Sequence, residues 1–234
     1  MPDRRELEAI AQRYARRDER LAGGDRYSLL RPEVWQMTQE RQRVLLQLLA
    51  QRDGQPQDWR LTEVGCGAGG NLLEMLRLGL RPEHLCGVEL LPARLAQARA
   101  VLPESVRLLA GDASVADVAE ASQDLVLQST VFSSILDDDL QLRLAQTLWR
   151  WLKPGGALIW YDFVVDNPRN PDVRGVPVRR LRQLFPHGAL QLRRVTLAPP
   201  LARLACRLHP MAYTLLNTLP LLRTHRLALI TKPL

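Results

Sequence analysis

Cysteine is scarce in this chain of 234 residues, and its three cysteines follow no recognisable pattern. Cys66, Cys86 and Cys206 are odd in number, far apart, and lack both C-x-x-C spacing and nearby histidines. A disulfide framework and a cysteine-based zinc site are therefore not indicated. We expect a cytoplasmic protein without a structural metal.

Long apolar segments are also missing. The chain opens on the charged stretch Met1-Pro-Asp-Arg-Arg-Glu, which has no apolar signal core, so we do not expect secretion. The uncharged run Leu208–Leu222 is fifteen residues long and contains Pro210 and Pro220. Because a helix needs about 20 apolar residues to cross a bilayer, this run should not span one. We interpret it as an apolar lid over a substrate or as a surface in contact with lipid.

Acidic residues are nearly absent from the last part of the chain. Between residues 167 and 234, twelve arginines and lysines stand against a single acid, Asp172, and the net charge of +7 is concentrated there. Such an asymmetry can attract phosphates, nucleic acid or an anionic membrane surface. It also fits a solvated surface in an arginine-rich proteome, since Lys153 and Lys232 are the only lysines. Both interpretations stay open at this point.

The composition that is present, 46% hydrophobic and 24% charged, suits one large α/β domain. From residue 60 onward, apolar runs of strand length alternate with helical patterns, which predicts crossover helices and a mostly parallel sheet. The helical pattern of residues 1–55 predicts an N-terminal cap, broken at Gly23-Gly24-Asp25. The predicted strands are 59–64, 84–90, 106–111, 124–130, 156–163, 190–197 and 225–232, and the predicted helices between them include 92–102, 138–152 and 178–185.

A glycine turn lies where the first predicted strand passes into a helix. Gly65 and Gly67 allow a tight bend and close approach of a ligand, and the following helix offers its free N–H groups. Gly65, Gly67 and Gly70 also satisfy the dinucleotide pattern G-x-G-x-x-G, and Glu89 lies nineteen residues after Gly70, as a ribose-binding acid would. The turn predicts a bound cofactor and leaves its identity open.

Glu63 adds the feature that separates these readings. A dinucleotide-binding strand normally has an apolar residue two positions before the first glycine, because an unpaired buried carboxylate costs several kcal/mol. From Glu63 to Gly69 the chain instead resembles the first motif of the class I S-adenosylmethionine-dependent methyltransferases, an acidic residue, any residue and then G-x-G-x-G. The resemblance covers about residues 55–165 motif by motif and 189–234 by topology alone.

The resemblance implies a Rossmann-like α/β fold with a seven-stranded, mostly parallel sheet, an antiparallel strand pair at the C-terminal end and a helical cap at the N-terminus. It divides the chain into the cap, residues 1–55, and a methyltransferase domain, residues 56–234, with a basic and apolar insertion on the acceptor side around 166–222. The general style of the sequence is similar to bacterial methyltransferases of polysaccharide or natural-product pathways.

The resemblance also assigns S-adenosylmethionine to the ends of successive strands. Glu89 would accept hydrogen bonds from both ribose hydroxyls, Asp112 would face the adenine amino group, and Gln128 would line the site near the sulfonium. In the cap, Tyr27 would cover the cofactor and Arg31 would pair with its carboxylate, although helix packing and a solvated position account for these two residues as well. The expected cofactor-binding residues are Tyr27, Arg31, Glu63, Gly65, Cys66, Gly67, Gly69, Glu89, Leu90, Asp112, Ala113 and Gln128, with no metal ligand.

Methyl transfer from a sulfonium is an in-line displacement that needs alignment and, for a hydroxyl acceptor, a base. The expected catalytic residues are Asp162, after the fifth predicted strand, and His209, within the uncharged run. His187 and His225 are weaker candidates, because a lone histidine in an apolar stretch is usually packed. The sequence after Gln128 lacks the Asn/Asp-Pro-Pro-Tyr/Phe motif of exocyclic-amine methyltransferases that act on bases in nucleic acid.

An apolar lid next to a basic segment favours an acceptor that has both an apolar part and an anionic part. We therefore predict an S-adenosylmethionine-dependent methyltransferase that acts, on oxygen, on a small-molecule, glycan or lipid-linked acceptor. The alternative is an RNA or protein methyltransferase, because ribose methylation does not need the missing motif. A third reading is an NAD-dependent oxidoreductase or a non-catalytic binding module. No motif sets the acceptor or the oligomeric state.

Overall fold

The computed structural model describes residues 2–21, 25, 28–167 and 170–234, and these residues form one seven-stranded sheet. Its strands are β1 (Leu61–Val64), β2 (Leu85–Glu89), β3 (Arg107–Ala110), β4 (Gln123–Ser129), β5 (Leu152–Phe163), β6 (Ala189–Leu197) and β7 (Arg223–Thr231). Their order across the sheet is β3-β2-β1-β4-β5-β7-β6. Strands β1 to β5 pair in parallel, whereas β7 runs antiparallel to both β5 and β6. The predicted Rossmann-like sheet with an antiparallel C-terminal pair is confirmed.

Helices connect the strands and cover both faces of the sheet. They are α1 (Pro2–Leu21), α2 (Pro32–Leu49), α3 (Gly70–Arg77), α4 (Pro92–Val101), α5 (Asp138–Trp151), α6 (Val178–Leu184), α7 (Pro199–Leu208) and α8 (Pro210–Asn217). Pro32 and Pro92 each stand in the first turn of a helix, where their missing N–H has no intrahelical partner to lose. Asp137 caps α5, because its side chain accepts a hydrogen bond from the Leu140 N–H at 2.6 Å.

The core divides between the two faces because side chains alternate along the strands. In β5, Trp160 packs with α5 and α6 in one buried cluster, which also includes Ile10 of α1. Its neighbour Ile159 packs in the cluster of the opposite face, with α2, α3 and α4. The segment predicted as an N-terminal cap therefore contains two helices that pack in different clusters, α1 in the first and α2 in the second.

Most element boundaries lie near the predicted ones, and β5 differs most. It begins at Leu152, four residues before the predicted start, because Leu152 pairs with Gln123 ahead of an irregularity in the β4–β5 register. The segment Lys153-Pro-Gly-Gly, which follows the predicted helix 138–152, thus lies within β5. Lys153 holds it in place with an ammonium 2.8 and 2.9 Å from the two carboxylate oxygens of Asp124.

Some predictions fall outside the described residues. Gly23, Gly24 and Tyr27 lie there, as do residues 168 and 169 of the predicted loop that begins the 166–222 insertion. The rest of that insertion contains α6, β6, α7 and α8, so it includes an edge strand of the sheet. Among the helices in the described ranges, none has the length and apolar character to cross a membrane.

Candidate functional site

The glycine turn between β1 and α3 has the backbone that the sequence predicted. Gly65, Gly67 and Gly69 have φ values of +65°, +55° and +85°, in the region that favours glycine. At Gly65 and Gly69 a Cβ would also collide with neighbours, at 2.6 Å from Cγ2 of Val131 and 2.9 Å from Cδ1 of Leu102. At Gly67 a Cβ would meet nothing within 4 Å. The turn is therefore packed at both ends and open in the middle.

Glu63 is fully buried in β1, directly behind this turn. Its Oε1 accepts a hydrogen bond from Nδ2 of Asn71 at 2.6 Å, whereas its Oε2 is buried without a partner among the described residues. Burial raises the pKa of the Glu63 carboxyl to about 8, against the opposing effects of the Asn71 hydrogen bond and the nearby Arg41. An unpartnered buried carboxylate oxygen is costly, and it is suited to a cationic donor.

Glu89 ends β2 on the neighbouring strand, with only 6% of its surface exposed. Its Oε2 accepts from the N–H of Gly67 and its Oε1 from the N–H of Leu91, both at 2.8 Å. The first bond ties the acid to the open part of the glycine turn. Because an ionised carboxylate has about four lone-pair sites, two remain for a ligand.

Asp112 follows β3 and begins a short turn. Its Oδ1 accepts from the Ser114 N–H at 2.8 Å and its Oδ2 from the Ser114 hydroxyl at 2.6 Å. Together with Leu90 and Ala113, Asp112 lines a cavity of about 250 Å³ that also contains Gly65 and Glu89. The structure thus gathers these five predicted residues at the carboxyl ends of β1, β2 and β3, where open α/β sheets bind ligands.

Other predicted residues lie next to the cavity rather than on its wall. Gln128 is fully buried in β4, and its Oε1 accepts from the Val131 N–H at 3.2 Å, so it braces the turn that follows the strand. Ser129, the last residue of β4, and Thr130 of that turn line the cavity instead, and Thr130 has a φ of +58°. The Cys66 thiol is buried, and burial raises its pKa.

Helix α1 forms the opposite wall of the cavity, which sequence reasoning missed. Leu7, Ile10 and Tyr14 line it, and the Tyr14 hydroxyl lies 2.9 Å from the Ser134 hydroxyl. The guanidinium of Arg94 stacks over the Tyr14 ring at 4.5 Å from its centroid. The apolar spacing of α1 showed that this face packs, but nothing in the spacing identified its partner.

A second missed residue is Arg41 in α2. Its Nη2 donates to Oδ1 of Asn71 at 3.0 Å and approaches Oε2 of Glu74 at 3.3 Å, which places a guanidinium in the network around Glu63. Arg31, the predicted cation, instead pairs with Asp25 at 2.6 Å and with Glu33 at 3.5 Å, and it does not line the cavity.

Comparison with known proteins agrees with this geometry. Residues 62–156 match the family model described as a methyltransferase domain. The fold is similar to a Thermotoga maritima protein described as an S-adenosylmethionine-dependent methyltransferase and possible histamine N-methyltransferase, with a TM-score of 0.62, 16% identity, and 95% and 98% of the two chains covered. It is also similar to an S-adenosylmethionine-dependent methyltransferase from Mesorhizobium loti, with a TM-score of 0.60, 16% identity, and 84% and 100% covered.

Residues 62–156 carry a methyltransferase domain, and the matches together support a class I S-adenosylmethionine-dependent methyltransferase. The cofactor of this family is S-adenosylmethionine. A curated relative, the tRNA N(3)-cytidine methyltransferase METTL2 of Gallus gallus, is 30% identical over 118 residues. That match spans 47% of this chain and 32% of the relative, so the methyltransferase described here matches about a third of that protein.

The predicted bases of the methyltransferase have contrasting surroundings. Asp162 is fully buried at the end of β5, and its Oδ2 and Oδ1 accept from the N–H groups of Ser133 at 3.1 Å and Phe163 at 3.0 Å. Burial raises the pKa of Asp162 to about 7. His209 is exposed between α7 and α8, where its Nδ1 accepts from the Met211 N–H at 3.1 Å. It caps α8 and does not line the cavity.

His225 occupies a third environment in the methyltransferase. It stacks on the ring of Tyr161 with 5.0 Å between ring centroids, on the sheet face that α2 covers. Burial, with a further contribution from Arg41, lowers the pKa of His225 to about 4. The imidazole is therefore uncharged at neutral pH and packs as an aromatic ring.

Proposed function

We propose that the protein transfers a methyl group from S-adenosylmethionine to an oxygen of a small-molecule, glycan or lipid-linked acceptor. The buried Oε2 of Glu63, which has no partner in the part of the chain that the structure describes, is the observation that carries the cofactor assignment. The amino group of the cofactor's methionine part would supply the missing donor. Bound there, S-adenosylmethionine supplies an electrophilic methyl group on a sulfonium.

The remaining contacts lie at the glycine turn and along the cavity at the ends of β2 and β3. The open space at Gly67 would admit the methionine part, and Glu89 would use its two spare lone-pair sites on the ribose hydroxyls. Asp112, with Leu90 and Ala113 beside it, would hold the adenine. Cys66, Gly65 and Gly69 would shape the loop, and Gln128 would position the turn after β4.

We assign the cap residues differently from the sequence prediction. Arg41, which already contacts Asn71, would pair with the cofactor carboxylate in place of Arg31, whose partners are Asp25 and Glu33. Tyr14 of α1 would cover the cofactor, since it lines the cavity wall, while the proposed role of Tyr27 concerns a residue outside the described ranges.

Asp162 is the stronger of the two proposed bases. A pKa of about 7 suits proton acceptance near neutral pH, and its partner Ser133 belongs to the turn whose Ser134 lines the cavity. Because Asp162 is fully buried, the turn that contains Ser133 must move aside before an acceptor hydroxyl can reach Oδ2. For His209 we propose a capping role, because of its bond to the Met211 N–H and its distance from the cavity lining.

A basic surface and an apolar surface support an acceptor that has both apolar and anionic parts. Arg179 and Arg182 are exposed on α6, and leucines are exposed on α7 and α8. Incubation of the protein with a labelled methyl donor and fractionated cell extract tests this proposal. Label should enter the glycan or lipid fraction and survive nuclease and protease treatment. Calorimetry should detect binding of S-adenosylhomocysteine and no binding of NAD. This result would distinguish a methyltransferase from an oxidoreductase.

An RNA acceptor is the second candidate, and the similarity to the cytidine methyltransferase favours it. The basic residues between 167 and 234 would then contact phosphates. In the extract experiment this candidate predicts that nuclease removes the label. Label removed by protease would instead identify a protein acceptor.

A further inference from the structure

An unusual set of exposed apolar side chains runs along α7, α8 and the segment that leads into β7. Leu204 and Leu208 lie one turn apart on α7, and Met211 and Leu215 lie one turn apart on α8. We name this set the apolar ridge, and each member is at least half exposed. Its members are Leu204 (56%), Leu208 (75%), Met211 (66%), Leu215 (71%), Leu219 (52%) and Leu221 (88%).

The ridge is the outer face of a folded element. On the inner face, Ala202 and Ala205 of α7 and Tyr213 of α8 are buried together with Leu197 of β6. The Tyr213 hydroxyl donates to the buried carboxylate of Glu40 at 3.1 Å, which fixes α8 on α2. The inner face of α7 and α8 is packed on the protein, so the ridge leucines are exposed on the outer face of a folded element and not on a loose segment.

Cations flank the ridge, and acids are absent from this part of the sequence. No aspartate or glutamate occurs from residue 173 to the end of the printed sequence. Arg203 and Arg207 each precede a ridge leucine on α7. Arg194 donates to the Pro220 carbonyl at 3.3 Å and Arg223 to the Asn217 carbonyl at 2.8 Å, so both lie against the segment that carries Leu219.

The acids that pack directly against α7 and α8 are buried. Glu33 and Glu40 of α2 pack beneath α7 and α8 and are only 8% and 9% exposed. Glu40 is also engaged by the Thr196 N–H at 3.0 Å. The exposed chemistry of the face is therefore apolar and positively charged. A second copy of the chain would bring arginines against arginines, whereas an anionic lipid surface complements both properties.

We propose that the apolar ridge docks on a bilayer that contains anionic phospholipid. The six apolar side chains enter the boundary between headgroups and acyl chains, and Arg194, Arg203 and Arg207 lie at the level of the phosphates. Arg223 stays within the protein, because it also approaches Oε1 of Glu40 at 3.8 Å. The two helices are short and are interrupted at His209, so they lie in the plane of the interface. A docked enzyme would meet a lipid-linked acceptor at the membrane, but the docking itself does not depend on methyl transfer.

Flotation of the full chain with vesicles tests the proposal without cofactor or acceptor. We expect the protein to float with vesicles of phosphatidylcholine mixed with phosphatidylglycerol and to stay largely free with phosphatidylcholine alone. Added salt should reduce the bound fraction, since the Debye length falls from about 10 Å at 0.1 M to about 3 Å at 1 M. Absence of binding to the mixed vesicles, or equal and salt-independent binding to both kinds, would overturn the proposal.

Paired variants locate the surface. Leu208→Glu with Leu215→Glu should lower the partition coefficient on mixed vesicles at least about tenfold, because two apolar side chains leave the interface. Val101→Glu with Leu142→Glu is the matched control, with the same charge change at exposed apolar residues of α4 and α5. Equal loss in both variants would contradict docking through the ridge.

Two further measurements keep the test decisive. Arg203→Gln with Arg207→Gln preserves the leucines and should weaken binding to mixed vesicles alone. The ridge variants should keep the wild-type S-adenosylhomocysteine affinity and thermal midpoint. If the glutamate pair changes either value, Leu208→Ser with Leu215→Ser is used in its place. Light scattering tests whether the ridge instead binds a second copy of the chain. A concentration-dependent dimer that the ridge variant abolishes would assign this face to a second copy and overturn the proposal.

Discussion

Asn71 Nδ2 lies 2.6 Å from Oε1 of Glu63, and the second carboxylate oxygen is buried with no partner within residues 2–21, 25, 28–167 and 170–234. The pair joins β1 to the first turn of α3 directly beneath the glycine turn. Burial raises the Glu63 pKa to about 8. The carboxyl is therefore mostly protonated at pH 7 until a cation approaches it, and it must ionise to form a salt bridge with an ammonium group.

Binding of S-adenosylhomocysteine should consequently release protons at pH 7 and tighten as the pH rises from about 6 to about 8. Calorimetry in buffers of different ionisation enthalpy measures the release directly. Glu63→Gln should abolish the release and weaken binding by about 1.5 to 3 kcal/mol, the range for a hydrogen bond to a charged group. Glu74→Gln, in the same network but with Oε2 bonded to Arg41, is the control. Proton release that persists in Glu63→Gln would contradict the assignment.

The raised pKa of Glu63 also predicts how the stability of the cofactor-free protein depends on pH. Its folded pKa lies above the ordinary value, so the folded state holds an extra proton between about pH 4.5 and pH 8. The free energy of unfolding should therefore fall as the pH rises through this window. Urea unfolding of the wild type and of Glu63→Gln at several pH values measures the difference, and the variant should lose less stability toward pH 8. Parallel curves would show that Glu63 does not titrate there.

Glu63 also illustrates how far the sequence alone leads. The acid, the glycine turn and the acids after β2 and β3 follow from local patterns, because parallel strands bring their carboxyl ends to one edge. Arg41 could not be predicted in this way, since its contact with Asn71 depends on how α2 docks on α3, thirty residues away. The packing of α1 over the cavity is likewise tertiary. Helical spacing identified its apolar face but not the surface that this face covers.

Glu89 should contribute to both binding and stability. Glu89→Ala should weaken S-adenosylhomocysteine binding by about 1.5 to 3 kcal/mol through the lost ribose contacts. It should also lower the thermal midpoint, because the N–H groups of Gly67 and Leu91 lose their acceptors. Glu89→Gln keeps one acceptor oxygen and should be affected less in stability. Unchanged affinity in a folded Glu89→Ala protein would rule out the ribose contact.

The glycines of the turn should separate binding from folding. Gly67→Val places a side chain in open space that the cofactor needs, so affinity should be lost. A non-glycine residue at its φ of +55° also costs about 1 to 3 kcal/mol of stability. Gly69→Ala adds a contact of 2.9 Å with Leu102 and should destabilise the fold more than Gly67→Ala does. Thermal unfolding and calorimetry on each variant check this; a folded Gly67→Val protein with normal affinity contradicts the site.

Asp162→Asn tests the proposed base. If Asp162 takes the acceptor's proton, kcat should fall by about 100-fold or more while S-adenosylhomocysteine affinity stays near the wild-type value. The amide retains one oxygen for the Ser133 or Phe163 N–H, which limits structural damage. His209→Ala should leave kcat unchanged. If Asp162→Asn lowers cofactor affinity and stability together with kcat, the residue positions the Ser133 turn and is not the base.

The last prediction concerns the arginines of α6, which the structure divides into two groups. Arg180 donates to Oε1 of Gln141 at 3.0 Å and to the Asp138 carbonyl at 2.9 Å, so it links α6 to α5. Arg179 and Arg182 are exposed. If these two attract an anionic acceptor, Arg179→Gln with Arg182→Gln should raise the acceptor KM several-fold and leave cofactor affinity alone. Because only uniform binding is lost, kcat should barely change.

Ionic strength should reproduce the effect of this double variant. At physiological ionic strength the Debye length is about 8 Å, so added salt should depress wild-type turnover at low acceptor concentration and affect the variant much less. Arg77→Gln with Arg99→Gln removes two exposed arginines from α3 and α4 and should keep the wild-type salt response. If turnover of the α6 variant and of the wild type declines equally with salt, Arg179 and Arg182 are solvated side chains, and the acceptor is attracted by other groups.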